Sequence, residues 1–526
     1  MGTTDYDILS RLEILSGNYN SNFSSSKPYS RQLATKEVEY IDSLQTTRSI
    51  KLTEIDKYNI KRFLISNAEW ASHPVQYKSR KAAFSYFYKN PANFFEINKK
   101  KFFLAINPSI QYQQMFESHN NKNLFYSSNG ISIRGLFTNK VSFDLYLSRN
   151  QERDPGYVQQ WIKSHVAVPG ERYYNRFGAS GVSYNDNRGS ISIKASKYID
   201  LQAGFDKTFI GDGVRSLFLS DFSGSMPFFK INTRIWKFNF ENFYAKLTPN
   251  YPENISENKY FRMNYLSVNA AKWLNIGFFD AVVFGRKEHF DFQYLIPVML
   301  LRSLESDIGS KDNALLGLTA KANIKKKVQV YGQLMFDEFV FHELIKSRGF
   351  WANKFGHQIG IKYPDAFGIK NFNLQIEENR VRPFTYSHND TIGNYAHYNQ
   401  PLAHPLGANF QEFIGIAKYQ PAKKLFLQAK TIYYYQGLDS GAINYGSNID
   451  LLYETRPRNY GYFVGDGNKV KSLNISLLAS YEVKQNLFID LNLQHRTYNA
   501  QSSGSSATNV FSFGFRWNMA RRNFDF

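Results

Sequence analysis

Residues 102–113 read FFLAINPSIQYQ. One parity is Phe102, Leu104, Ile106, Pro108, Ile110 and Tyr112, and the other is Phe103, Ala105, Asn107, Ser109, Gln111 and Gln113. Successive side chains of a strand point to opposite faces, so this period of two predicts a strand with one greasy and one polar face. Val141, Phe143, Leu145 and Leu147 alternate in the same way with Ser142, Asp144, Tyr146 and Ser148. The pattern returns in 199–205, 328–336, 473–481 and 487–493, and again where Phe511, Phe513, Phe515 and Trp517 alternate with Ser512, Gly514, Arg516 and Asn518. A row of exposed Phe on a strand is an aggregation hazard in water but harmless in hydrocarbon.

The connections divide into two kinds. Thr138-Asn139-Lys140, Ser196-Lys197-Tyr198, Lys325-Lys326-Lys327 and Lys484-Gln485-Asn486 are tight and polar, whereas 150–178, 303–313, 341–355 and 382–409 are long. Short turns at one end and long loops at the other mark an antiparallel outer-membrane β-barrel. Hydrocarbon offers no hydrogen-bond partners, so such a sheet must close on itself. Spanning strands of about 9–11 residues with their connections give about 16–18 strands over residues 101–526. The chain ends at Phe526, and an aromatic last strand with a terminal Phe resembles the sorting signal read by barrel-insertion machinery.

Residues 1–100 read instead as a mostly helical region. Leu33, Tyr40, Ile41 and Leu44 lie at helical spacing in 32–44, Thr53 with Asp56 three residues on offers an N-cap, and 81–88 is a third, short segment. Residues 1–30 lack an apolar signal core, so the expectation is an exported chain whose signal has been removed.

Composition narrows the function. The 526 residues include 17% aromatics and no cysteine, which excludes a disordered chain, a disulfide scaffold and a Cys-ligated metal. No apolar run reaches the roughly 18 residues of a membrane helix. The formal charge of +20 is scattered between strands with no recognition helix, so nucleic acid is not an expected partner. Neither a GxSxG elbow nor an HExxH pair occurs. His388, His397 and His404 crowd one loop with Ser387, Asn389 and Asp390, while Asp337-Glu338 and Glu377-Glu378 are adjacent and point to opposite faces. The reading is non-catalytic, with no cofactor and no metal. Bulky and charged residues on the inward parity, among them Asp144, Tyr146, Gln333, Asp337, Asp490 and Gln494, favour a filled or loop-plugged lumen.

The stretch 204–223, GFDKTFIGDGVRSLFLSDFS, resembles the signature of Wzi-like capsule-assembly proteins. YVQQWI (157–162), VPGERYYNRF (168–177), YGQLMFDEF (331–339), ENRVRPFTYSH (378–388) and HPLGAN (404–409) fit the same family. Phe209-Ile210 stands where the Wzi pattern has Trp, and this places the chain nearest the subgroup of the gliding-motility protein RemB. The resemblance implies 18 strands, a helical region at the periplasmic mouth, and a surface role in binding or organising polysaccharide for capsule assembly or gliding motility.

A glycan site needs aromatic faces, hydrogen-bond donors and, for an acidic polymer, cations, with Arg suited to carboxylates. Three long loops offer that mixture: Trp161, Lys163, Arg172, Tyr173, Tyr174 and Arg176; Lys346, Arg348, Trp351 and Lys354; and Arg380, Arg382, Tyr386, His397 and His404. Asp206, Lys207, Asp212, Arg215 and Asp221, with Gly211 and Gly213 permitting tight turns, read as an internal network holding an inward-folded loop. The expected partners are outer-membrane lipid, surface polysaccharide, and other outer-membrane or cell-surface proteins. The alternatives are an accessory barrel of an export or assembly complex and a porin-like channel.

Overall fold

The structure is a computed structural model. It describes residues 3–17, 23–47, 49–73, 86–250, 258–286, 292–297, 301 and 312–525. Among these, 18 antiparallel strands close into a barrel. They are β1 (Phe102–Glu117), β2 (Asn120–Phe137), β3 (Val141–Arg153), β4 (Gly181–Lys194), β5 (Ile199–Asp206), β6 (Met226–Ile235), β7 (Phe238–Leu247), β8 (Asn258–Ala271) and β9 (Leu274–Arg286). The circuit continues through β10 (Asn313–Ile324), β11 (Val328–Glu338), β12 (Lys354–Tyr363), β13 (Phe372–Val381), β14 (Phe410–Ala422), β15 (Leu425–Leu438), β16 (Asn468–Lys484), β17 (Leu487–Ala500) and β18 (Gly504–Trp517). β18 closes it by pairing with β1, Val510 opposite Glu117 and Trp517 opposite Ile110.

The parity assigned from the sequence is the parity observed. Phe511, Phe513 and Phe515 stand on the outer wall, 41%, 43% and 40% exposed, while Ser512 and Arg516 of the other parity are buried toward the lumen. In β1 the buried set runs Phe103, Ala105, Asn107, Ser109 and Gln111. All the predicted tight turns lie at one end of the barrel, and the loops 154–180, 207–225, 339–353, 382–409 and 439–467 lie at the other. Of the predicted loop 303–313, residues 303–311 lie outside the described residues.

Helices α1 (Thr3–Ser16), α2 (Arg31–Thr46) and α3 (Glu54–Ser66) pack around Ile8, Leu12, Val38, Ile41, Ile60 and Phe63 at the short-turn mouth. Thr53 and Asp56 form the capping box that starts α3. Arg11 ties Asp56 of α3 to Asp365 in the β12–β13 turn, and Arg62 reaches Glu482 on β16. Two features differ from the sequence reading. Phe95–Lys99 is a strand pairing with the first residues of β1, where β18 has already ended; its free backbone groups extend the seam, and that outweighs any helical tendency. Residues 81–85 of the third predicted helix lie outside the described residues, and Phe87 forms a lone bridge to Phe95.

The C-terminus differs too. The last strand stops at Trp517, and 518–525 turn back into the lumen. Arg522 meets Glu152 of β3 at 3.1 Å, and Phe524 is buried among Tyr126, Tyr184, Val158 and Ile162. Polar partners and an apolar slot inside the barrel hold the tail, while Phe95–Lys99 takes the edge of β1 beyond the end of β18.

One sector of the outer wall is polar. Asn242, Asn264 and Asp280 form a cross-strand row on β7–β9, with Arg262 one step above, and all four are buried. Segment 292–297 and Leu301 cover them: Arg262 donates to the Tyr294 carbonyl at 3.0 Å, Tyr244 to the Leu295 carbonyl at 3.0 Å, and the Leu301 N–H to Asp280 at 2.7 Å.

Candidate functional site

The lumen is filled from the long-loop end. Loop 207–225 enters it, and wall residues grip its backbone. The N–H groups of Val214 and Arg215 donate to Glu377 of β13 at 2.7 and 3.0 Å, the Leu217 N–H donates to Gln333 of β11 at 2.8 Å, and Gln358 of β12 donates to the Arg215 carbonyl at 2.9 Å. A Cβ on Gly213 would collide with the Glu377 carboxylate, so only glycine lets the loop lie this close to the wall. Phe218 stacks on Phe279 with ring centres 4.4 Å apart.

Ion pairs complete the grip. Asp212 accepts from Ser25 at 2.7 Å and pairs with Lys321 at 3.0 Å. Burial raises its pKa, and Lys321 with the neighbouring Lys362 more than reverses that, leaving it below the ordinary carboxylate value. Arg215 meets Glu412 at 3.3 Å and donates to the Asp525 carbonyl at 2.8 Å, so the tail and the plug hold one another. Burial works against its charge, and Glu412 and Asp525 outweigh it, so its pKa stands above the ordinary guanidinium value.

Loop 382–409 lies over this plug. Tyr386 donates to the Leu217 carbonyl at 2.7 Å, and His404 contacts Glu412 at 2.8 Å. Burial lowers the His404 pKa, and Glu412 offsets that only in part. Loop 154–180, with helix α4 (Gly156–His165), closes the top: Lys207 reaches the Gly170 carbonyl and Glu171, and the Gly170 N–H donates to Gln400 at 2.8 Å.

Loops 339–353 and 439–467 build a firm rim. The Trp351 N–H donates to the Asn459 carbonyl, Gly461 N–H to the Arg348 carbonyl and Tyr462 N–H to the Gly349 carbonyl, at 2.8–3.0 Å. Gly349 has φ +67° and sits against the Tyr462 backbone. On this frame the Arg456 guanidinium lies 3.7 Å from the Trp351 ring centre, Tyr453 packs 4.8 Å from that ring, and Arg348 lies 4.5 Å from the ring of Tyr460. Arg348, Arg458 and Tyr460 are exposed; Trp351, Tyr453 and Arg456 are half-buried. Aromatic faces beside fixed guanidinium groups can stack on sugar rings and pair with carboxylates.

The predicted site residues divide sharply. Arg348 and Trp351 share the rim platform. Lys354 is buried against Glu338 at 3.1 Å, and Tyr386 and His404 are buried in the plug. Arg382 donates to the carbonyls of Asn353, Phe350 and Tyr462, at 2.7, 3.3 and 3.2 Å, and so ties the two rim loops together. Arg380 is exposed on the outer wall, its side chain turned away from the lumen. In the first loop Trp161 stacks on His165 at 3.9 Å, Tyr173 donates to the Pro249 carbonyl at 3.0 Å, Tyr174 packs on the cluster around Phe524, and Arg172 lies over Phe205 at 5.1 Å. Lys163 and Arg176 are exposed. Of the signature, Lys207, Gly211, Gly213 and Arg215 belong to the plug. Asp206 ends β5, accepting the Lys207 N–H, and Asp221 is exposed on a short turn.

Tyr453, Arg456 and Tyr460 carried no signal, because they come from a loop with no motif and meet Trp351 only through the loop pairing. Glu377, Gln333, Gln358 and Glu412 were visible only as polar positions on inward strand faces.

No protein-family model and no curated protein sequence matches the chain. Among solved structures, the chain is similar to Wzi of Escherichia coli, described as an outer-membrane protein involved in group 1 capsule assembly and a carbohydrate-binding β-barrel. The match has a TM-score of 0.59 at 13% identity and covers 98% of each chain. OprD of Pseudomonas aeruginosa matches with a TM-score of 0.45 at 11% identity, over 79% of this chain and 94% of that one. With its closed circuit of strands, greasy outer wall and helices at one mouth, the chain is an outer-membrane β-barrel of Wzi-like fold.

Proposed function

We propose that this barrel binds surface polysaccharide at its long-loop rim and holds or organises it there without catalysing a reaction. In this reading the long loops face the outside and the helical region stands at the periplasmic mouth. The observation that carries the proposal is the platform of Arg348, Trp351, Tyr453, Arg456 and Tyr460, held rigid by backbone pairing above a filled lumen. A frame fixed before binding loses little conformational freedom on meeting its ligand. The carbohydrate-binding character of the Wzi barrel supports the reading at the level of fold. The resemblance of 204–223 to the RemB-like subgroup supports a setting in gliding motility or capsule handling as part of this reading.

The test is retention of acidic capsular polysaccharide by the detergent-purified protein. Trp351→Ala and Arg456→Ala are each expected to weaken binding about tenfold, as loss of a stacking or charge-assisted contact would. Both variants should keep the heat-dependent gel mobility of a folded barrel. Unchanged retention in both would overturn the rim assignment.

A further inference from the structure

Between α1, the plug loop and the C-terminal tail lies a cavity of about 670 Å³, within the span of about 300–1,000 Å³ usual for small-molecule sites. Nine Lys and Arg line it against six Asp and Glu. Six of the cations are matched: Arg188 with Asp186, Lys207 with Glu171, Arg215 with Glu412, Lys418 with Asp7, Lys430 with Asp525, and Arg522 with Glu152.

Three are not. Among the described residues, Lys27, Lys362 and Arg521 form no ion pair. Lys362 has the Ser10 hydroxyl at 3.3 Å and the ring face of Tyr331 at 5.1 Å, and Arg521 has the side-chain carbonyl of Asn523, which takes its Nε–H at 3.1 Å and leaves the two terminal nitrogens of the fork open. Lys27 has ring faces alone, Phe209 at 4.5 Å and Tyr6 at 6.0 Å. Burial lowers its pKa, and the carboxylates of Asp212 and Asp221, which line the same cavity beyond ion-pair distance, offset that only in part. Three half-buried cations without ion pairs around one cavity favour an anion that joins them.

The other lining groups narrow the class of anion. Tyr6 and Tyr29 meet edge to face at 4.9 Å and bring aromatic surface to the cavity wall, which the amide of Gln428 also lines. Cations for a carboxylate or phosphate, rings for a sugar face and an amide for hydroxyls line one cavity. We propose that this lumenal chamber is a second ligand site, taking an acidic monosaccharide or short oligosaccharide through Lys27, Lys362 and Arg521. The site is separate from the rim and does not rest on the rim reading.

Isothermal titration of the full chain in detergent with glucuronate, glucose and inorganic phosphate tests it. Glucuronate is expected to bind and glucose not to. Lys362→Gln and Arg521→Gln should each weaken glucuronate about tenfold, and added salt should weaken it further. If either variant fails to fold, Lys27→Gln replaces it, because Lys27 lies on the short strand Ser26–Lys27 and outside the barrel wall. High-mass polysaccharide is too large for the chamber, and its retention should be unchanged by Lys362→Gln, so the two sites are read apart. Absence of glucuronate binding by the folded protein would overturn the proposal, as would binding indifferent to all three substitutions. Phosphate binding without glucuronate binding would overturn the sugar assignment.

Discussion

Arg382 and His397 both come from a loop read as glycan-facing, and both are turned inward to hold protein. Arg382 gives its donors to three backbone carbonyls. His397 accepts the Thr248 N–H on Nδ1 at 2.8 Å, so its proton sits on Nε2, facing the Ser225 carbonyl at 3.2 Å. Burial pushes its pKa down to about 3. A histidine that stays neutral in the fold and protonates near 6.5 when unfolded stabilises fully above about pH 6.5; that stability is lost as pH falls toward 3, by up to about 1.4 kcal/mol per unit. Limited proteolysis of loop 382–409 should therefore accelerate between pH 7 and pH 4.5. His397→Gln, which cannot titrate, should flatten that dependence, and an unchanged slope would exclude His397 as its source.

At the scale of elements, the plug is a loop gripped by three neighbouring strands. Its attachment depends on close backbone approach at Gly213 and on the mutual hold of Arg215, Glu412 and Asp525. Gly213→Val should push the loop off Glu377 and leave that buried carboxylate short of its two N–H donors, a cost of about 1–3 kcal/mol for each unmade bond. In planar bilayers the intact chain is expected to show no large steady conductance, and Gly213→Val should introduce steps. Large steps from the unaltered protein would contradict a filled lumen. The short strand Phe95–Lys99 and the returning tail follow the same logic, since each supplies partners where the closing strand runs out.

For the whole molecule, the outer wall sets where it can exist. Phe511, Phe513 and Phe515 face outward beside Leu491 and Leu493 of β17. Phe513→Lys should cost about 2–4 kcal/mol if it lies near the bilayer midplane, and less toward either interface. Urea unfolding in liposomes should register the loss, while the same variant in detergent micelles should be nearly unaffected. Equal destabilisation in both would mean that this face does not meet lipid. The covered row Asn242, Asn264 and Asp280 is the exception that fits the rule, since segment 292–297 and Leu301 shield polar side chains on the outer wall.

The barrel, its outward parity and the division into tight and long connections were legible in the residues alone. Alternation is a local property: every second side chain must match lipid or lumen, and each strand records that in its own composition. The capping box at Thr53 and Asp56 was legible for the same reason. What the loops do was not. Lys354 and Arg382 have the chemistry of glycan ligands yet are engaged by Glu338 and by three carbonyls. The rim platform joins Trp351 to Arg456 across 105 positions. The chamber depends on which cations are left after all the others have found partners, and such pairing between residues far apart in the chain is decided only once the sheet has closed and its loops have folded in.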